Sequence, residues 1–222
     1  MPALLSDVAP KEIPIFAPRL LGQRPNLAAL VAETISTWSY AENALGRSVA
    51  AMSRGINAAE MEAYIHTWRL PDRMKIVRRV ATAELPEPYL TTFLKALDVI
   101  GGLAKRRHAF AHGIWGTVEA LPDALLLVDP EHMFRQWGKA NDWLAAFAAN
   151  GVGAVDRLDP FDNRLVEVWP DIELREEVGR MNELYELALA MEMIAGDGIF
   201  DASNMKRRHV HDWLLKHPLI GP

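Results

Sequence analysis

Long stretches of apolar residues at helical spacing, divided by prolines, constrain the fold of this chain most strongly. Between Leu27 and Val49 the apolar residues recur every three or four positions, which is typical of one face of an amphipathic helix. This pattern predicts a helix over residues 27–52, with Asn26 as its N-cap. A second stretch, from Tyr89 to His112, predicts another long helix. The chain is therefore expected to be mainly α-helical.

The remaining elements follow from turn residues and from changes in periodicity. Five prolines in residues 1–25 predict an extended N-terminal arm. Apolar residues over 114–119 and 124–128, on either side of a turn, predict a short β-hairpin, and 164–168 adds a third strand. Helices are predicted over 131–149, from Pro170 to about Ala195, and over about 202–216. The expected fold is mainly α, with a small sheet inserted late in the chain.

Composition excludes several classes of site. The chain has no cysteine among its 222 residues, which rules out disulfides, thiol nucleophiles and cysteine-ligated zinc. No segment reaches transmembrane length and no apolar run follows a basic start, so a cytoplasmic protein is predicted. The net charge is −5, yet the segment between Arg69 and His112 contains nine basic and only four acidic residues. A local basic face could attract a phosphate ligand.

The run from Lys105 to Trp115 carries the strongest indication of chemistry. Arg107 precedes His112 at R-x4-H spacing, and a helix-stopping glycine, Gly113, follows directly. Arg106 and Lys105 are supporting basic residues. At about 100° per residue, Arg107 and His112 lie roughly 140° apart on a regular helix. They can act together only if the helix ends near His112, with Gly113 in a left-handed conformation, or if a second copy of the chain completes the site.

These residue types suit metal-independent cleavage of RNA. His112 is the candidate general base on the ribose 2′-OH, because imidazole titrates near neutral pH. Arg107 is the candidate phosphate ligand and stabilises the additional charge of the transition state. His108 would orient His112, hold a phosphate oxygen or protonate the leaving 5′-oxygen. The chemistry needs no metal and no other cofactor.

Other interpretations of the same residues stay open. Basic residues in a last helical turn, followed by glycine, are also what a helix C-terminus favours electrostatically. His108 and His112 have the i, i+4 spacing of a zinc pair, but Ala109 stands where such a motif has glutamate, and no third ligand is evident. Glu42, in an otherwise apolar stretch, is either a buried acid that pairs with an arginine near the site or an ordinary polar position.

The string Arg107-His108-x3-His112-Gly113-x-Trp115 resembles the motif of the HEPN superfamily (higher eukaryotes and prokaryotes nucleotide-binding). Many of its members read R-N-x3-H-G-x-W, and here His108 replaces the usual asparagine. Upstream, Trp38, Glu42, Leu45 and Gly46 are similar to a W-x3-E-x2-LG pattern of uncharacterised relatives. The resemblance covers roughly residues 27–200, but only the motif is specific.

The resemblance implies an antiparallel helical bundle, often a homodimer in which the two Arg/His sets meet in an interfacial cleft. On this basis we expect one domain, with an extended arm over 1–25 and a helical bundle core over 27–112. The rest of this domain is expected to contain a hairpin, a helix and a strand over 113–169, followed by C-terminal helices over 170–217.

Active members of the family are metal-independent endoribonucleases of toxin–antitoxin, phage-defence and RNA-processing systems. The resemblance thus implies an RNA ligand, a second copy of the chain and an antitoxin as partners, with Arg107, His108 and His112 as catalytic residues. Members controlled by nucleotidylation carry tyrosine two residues after the histidine, where this chain has Ile114. The alternatives are a non-catalytic module that binds a nucleotide or a protein, and a structural dimer whose motif is only a helix end.

Overall fold

A computed structural model describes residues 2–53, 58–150, 161–196 and 203–220. Within these ranges the chain is mainly helical, with one small antiparallel sheet. The helices are α1 (Leu5–Val8), α2 (Pro25–Met52), α3 (Ala59–His66), α4 (Leu70–Glu84), α5 (Tyr89–His112), α6 (Pro130–Asn150), α7 (Asp171–Ala195) and α8 (Ser203–Leu215). The strands are β1 (Ala3–Leu4), β2 (Ile114–Gly116), β3 (Ala124–Val128) and β4 (Val166–Pro170), in the spatial order β1-β4-β3-β2.

The predicted fold class, mainly α with a small inserted sheet, is confirmed. The periodic pattern located α5 to the residue, and β2 pairs with β3 as the predicted hairpin. The sheet has a fourth strand, β1, because Ala3 and Leu4 of the N-terminal arm pair with Val168 and Glu167 of β4. The arm is therefore partly ordered by the sheet, and it also holds the short helix α1.

Two predicted helix starts are displaced by proline. Helix α2 begins at Pro25, whose fixed φ suits a first helical position, so Asn26 lies inside the first turn and is not the N-cap. Pro170 does not open α7 but closes β4, where it faces Ala124 in the sheet register. The α7 helix starts one residue later, at Asp171, whose backbone N–H donates to the Asp123 carbonyl at 3.0 Å.

The chain divides into two compact units. Unit 1 comprises Met1–Glu33 and His108–Glu177, and unit 2 comprises Thr34–Arg107 and Val178–Pro222. The boundaries fall inside helices α2, α5 and α7. Whether the whole chain is one domain, as predicted, is not decided by this division and stays a prediction.

Unit 1 is built on the sheet. One sheet face carries Leu126, Val166 and Val168, which pack with Leu5 of the N-terminal arm into an apolar core. The arm also supplies Arg24, whose guanidinium donates to the carbonyls of Leu121 at 2.8 Å and Val118 at 3.1 Å and to that of Ala124. These bonds fix the connection between β2 and β3, and burial lowers the pKa of Arg24.

Unit 2 is a helical cluster. Its core joins buried side chains of α2, α4, α5 and α7, among them Trp38, Val77, Phe93 and Leu184. Several basic residues of the segment after Arg69 are neutralised there: Lys75 pairs with Asp72 at 2.8 Å, and Arg78 pairs with Asp98. The basic face that the sequence suggested is thus partly offset by acids of the same segment.

None of the helices in the described ranges is both long enough and apolar enough to span a membrane.

We expect Arg24→Lys to destabilise the protein, because a single ammonium cannot reach three carbonyls that a planar guanidinium serves together. The loss should be about 1–3 kcal/mol in the free energy of unfolding, measured by urea titration. The matched control is Arg19→Lys, since the Arg19 side chain is exposed and makes no hydrogen bond among the described residues. Equal stability of the two variants would contradict the role given to Arg24.

Candidate active site

Contacts between three aromatic rings pack the end of α5 against the sheet. The Phe110 ring is buried and meets two indoles edge to face, Trp115 at 5.2 Å and Trp169 at 4.7 Å between ring centroids. Such contacts contribute about 0.5–1.5 kcal/mol each beyond burial. Because Phe110 lies between His108 and His112 in the chain, these contacts fix the turn that carries both histidines.

Both indole N–H groups are used at this site. Trp115 Nε1 donates to the Phe110 carbonyl at 3.1 Å, which satisfies one of the carbonyls that a helix C-terminus leaves open. Trp169 Nε1 donates to Glu167 Oε2 at 3.0 Å, which orients that carboxylate on the sheet. One tryptophan thus holds the helix end, and the other holds an acid.

Gly113 allows the helix end to approach the sheet closely. A Cβ at this position would lie 2.4 Å from Leu127 Cδ1 and 2.5 Å from the Ala109 carbonyl oxygen. Its φ is not in the left-handed region, so the predicted left-handed conformation is wrong. Glycine is required here for space rather than for backbone conformation. The other expectation, that the helix ends near His112, is confirmed.

His108 and His112 form an exposed imidazole pair. Their ring centroids are 4.6 Å apart with an interplanar angle of 48°, as the i, i+4 spacing on one helix face predicts. Two imidazoles at this distance can serve a single reacting group as base and acid.

The pair lines a cleft of about 380 Å³ within unit 1, here named the histidine cleft. Three further ionisable side chains line this cleft. His132, in the first turn of α6, adds a third imidazole, and Asp129 and Glu167 add two carboxylates. The lining consists of His108, Ala109, His112, Gly113, Leu127, Val128, Asp129, Pro130, His132, Leu165 and Glu167.

Strand register brings Glu167 to the histidines. Glu167 faces Leu127 across β3 and β4, and Leu127 faces Trp115 across β2 and β3, so the three side chains share one sheet face. Leu127 touches the position of Gly113, directly after His112. Asp129 has a structural task as well, since its Oδ1 accepts the Glu131 backbone N–H at 2.7 Å at the start of α6.

Sequence reasoning missed His132, Asp129 and Glu167. They lie between 17 and 55 residues after His112 in the chain. The β2–β3 pairing brings Asp129 and His132 to the helix end, and the β3–β4 register brings Glu167. A local signal existed for Asp129, because aspartate before Pro130 is typical of a helix start. No local pattern points to Glu167 or His132.

The predicted arginine is not part of the cleft lining. Arg107 belongs to unit 2, whereas His108 and His112 belong to unit 1. Arg107 is half-buried, and its Nε is buried without a hydrogen-bond partner among the described residues. Lys105 is exposed, while Arg106 is half-buried and makes contacts of its own. Among the described residues, the cleft lining holds no lysine or arginine.

Glu42 lies in unit 2, half-buried on α2. Its backbone carbonyl accepts a hydrogen bond from the Tyr64 hydroxyl at 3.0 Å, and burial raises the pKa of Tyr64 to about 12. Tyr64 therefore contacts the main chain of Glu42. Pairing of its carboxyl with an arginine stays a prediction.

In the part of the chain that the structure describes, no three histidine or carboxylate side chains are arranged to hold a metal ion. Comparisons with known proteins found no match to a family model, to a curated protein or to a solved structure. The resemblance to the HEPN superfamily therefore rests on the sequence patterns alone, of which only the Arg107–Trp115 motif is specific.

We expect Phe110→Ala to remove the packing that seats the end of α5. Loss of a buried phenylalanine costs about 3–5 kcal/mol of unfolding free energy, which chemical denaturation followed by tryptophan fluorescence measures. The control is Trp68→Ala, because Trp68 is 94% exposed and its loss should change stability by less than about 0.5 kcal/mol. A Phe110→Ala variant as stable as the control would show that the helix end does not depend on this ring.

Proposed function

We propose that this protein is a HEPN-like, metal-independent endoribonuclease that cuts RNA at the histidine cleft. One observation carries the proposal: His108 and His112 form an exposed imidazole pair at a fixed helix end, inside a cleft large enough for a nucleotide. The motif resemblance supports the same chemistry. A cytoplasmic location and a place in a toxin–antitoxin or defence system belong to this proposal.

The proposed reaction is attack of a ribose 2′-oxygen on the adjacent phosphate. His112 takes the 2′-hydroxyl proton as general base, a bond forms between the 2′-oxygen and phosphorus, and the bond from phosphorus to the 5′-oxygen breaks. His108, as imidazolium, gives a proton to the leaving 5′-oxygen. The products are a 2′,3′-cyclic phosphate and a 5′-hydroxyl.

The phosphate needs a cation, which the described residues of the cleft lining do not supply. Asp129 and Glu167 make the lining more negative, which opposes an anionic ligand at neutral pH. We propose that Arg107 of a second copy provides this charge, because an arginine fork binds phosphate oxygens in a defined geometry. The active species is then a homodimer, as the resemblance implies.

Glu167 has a supporting role in the proposed mechanism. Its carboxylate, fixed by Trp169, can accept an imidazole N–H and so set the tautomer and stabilise the charged form that arises in the reaction. Glu167 is a positioning residue, since it acts through a histidine and not on the RNA.

The acidic lining also favours the alternative function. A cleft with two carboxylates and no cation of its own suits a non-catalytic module that binds a base, a nucleoside or a basic protein segment better than free phosphate. In that case ligand binding raises the melting temperature without turnover.

We expect His112→Ala to lower RNA cleavage by about 10²–10⁴-fold, because general acid–base catalysis contributes this much. Cleavage by the wild type should persist in EDTA and leave 2′,3′-cyclic ends. The matched control is His209→Ala, an exposed histidine on α8 in unit 2, which should keep full activity. If the wild type cuts no RNA while nucleotides stabilise it in the cleft, the binding module is correct and the nuclease is wrong.

We expect Glu167→Gln to lower kcat/KM by about 10- to 100-fold while leaving the fold intact, because glutamine keeps an acceptor for Trp169 and removes only the charge. Glu131→Gln, which changes an exposed acid at the start of α6, serves as the control. An unchanged kcat/KM in Glu167→Gln would remove Glu167 from the mechanism.

A further inference from the structure

Helix α6 begins in the core of unit 1 and then exposes its apolar face. Met133, in its second turn, is almost completely buried. The next large apolar residues on the helix are not covered: Trp137 is 51% exposed, Leu144 is 55% exposed, and Phe134 is 63% exposed. A change from buried to exposed along one helix marks a surface that the described part of the chain leaves open.

The exposed apolar residues lie along one stripe of the helix. Trp137, Ala140 and Leu144 follow each other at three- and four-residue spacing, and the half-buried Ala140 lies at the inner edge of the stripe. Phe134 borders this stripe and meets Trp137 edge to face at 5.6 Å. We name the set Phe134, Trp137, Ala140 and Leu144 the α6 apolar face.

The charges of α6 do not favour an anionic surface as its partner. The described helix carries two acids and two bases, Glu131, Asp142, Arg135 and Lys139. Arg135 is paired with Glu131 one turn earlier. Amphipathic helices that bind anionic lipid or RNA carry an excess of lysine and arginine, and here the balance is zero. The three exposed apolar side chains therefore favour a partner that offers an apolar surface.

We propose that the α6 apolar face binds the same face of a second copy of the chain, with the two helices antiparallel. A twofold axis at Ala140 and Asn141 places Trp137 opposite Leu144, and the symmetry makes this contact twice. The small Ala140 lies at the crossing point, where it lets the helix axes approach to about 8–10 Å. The face is thus complementary to itself.

The area available suits a reversible dimer. Each of the three large side chains exposes about half of its surface, on the order of 100 Å² each, which gives roughly 600 Å² for two copies. This area is below the roughly 1,000 Å² of a stable specific interface, so the contact belongs to the weak, reversible class. A dissociation constant in the micromolar range is expected.

This interface uses no residue of the Arg107–His112 motif, so it differs from the one that the family resemblance implies. It does not depend on the proposed nuclease activity. Loss of RNA cleavage in a cleft variant and loss of association in an α6 variant are separate results.

The test is sedimentation velocity of the full chain between about 1 and 100 µM. The wild type should associate through the α6 apolar face over this range, and Trp137→Glu should raise the dissociation constant of that step by about 30-fold or more. Arg107→Ala, which removes the charge that the nuclease dimer needs, should leave the α6 step unchanged. Trp68→Glu, at an exposed tryptophan of unit 2, should leave association unchanged. Far-UV circular dichroism and melting curves confirm that each variant is folded.

Cross-linking gives a second measurement, because the chain has no native cysteine. Ala140→Cys should link two copies with a short bismaleimide, whereas Lys139→Cys, roughly 100° round the helix, should not. A wild type that stays monomeric at 100 µM would overturn the proposal. So would a dimer that forms equally well in Trp137→Glu and does not cross-link through Ala140→Cys.

Discussion

The contact of the Phe110 ring with the indoles of Trp115 and Trp169 is the interaction on which the rest of unit 1 depends. It joins the last turn of α5 to two strands of the sheet and uses both indole N–H groups, one for the helix end and one for Glu167. Gly113 lets this contact form, because any side chain there would collide with Leu127. The position of the His108–His112 pair follows from this packing.

The same packing explains the mixed charge of the histidine cleft. A sheet face that covers a helix end is largely apolar. Glu167 is tolerated on this face because the indole N–H of Trp169 donates a hydrogen bond to one of its carboxylate oxygens. Imidazoles and carboxylates are thereby brought together without a permanent cation in the lining. Such a site has the groups for proton transfer but needs a separate source of positive charge to hold a phosphate.

Sequence patterns predict the parts of this molecule that depend on local interactions. The 3.6-residue period and Gly113 located α5 to its last residue, and the i, i+4 rule placed His108 beside His112. Strand β1 was missed because two residues in a proline-rich arm show no alternation. Glu167 was missed because it reaches the cleft only through the β3–β4 register. The role of Gly113 was misjudged because the collision with Leu127 is a long-range contact.

The account claims above all that a phosphodiester is held between His108 and His112. Imidazole NMR spectra recorded during titration with a 2′-deoxy oligonucleotide test this directly, because the ligand has no 2′-hydroxyl and cannot be cut. The signals of His108, His112 and His132 should shift, while those of His66 in α3 and His209 in α8, both in unit 2, should not. Shifts of His209 with no change at His108 and His112 would contradict the account.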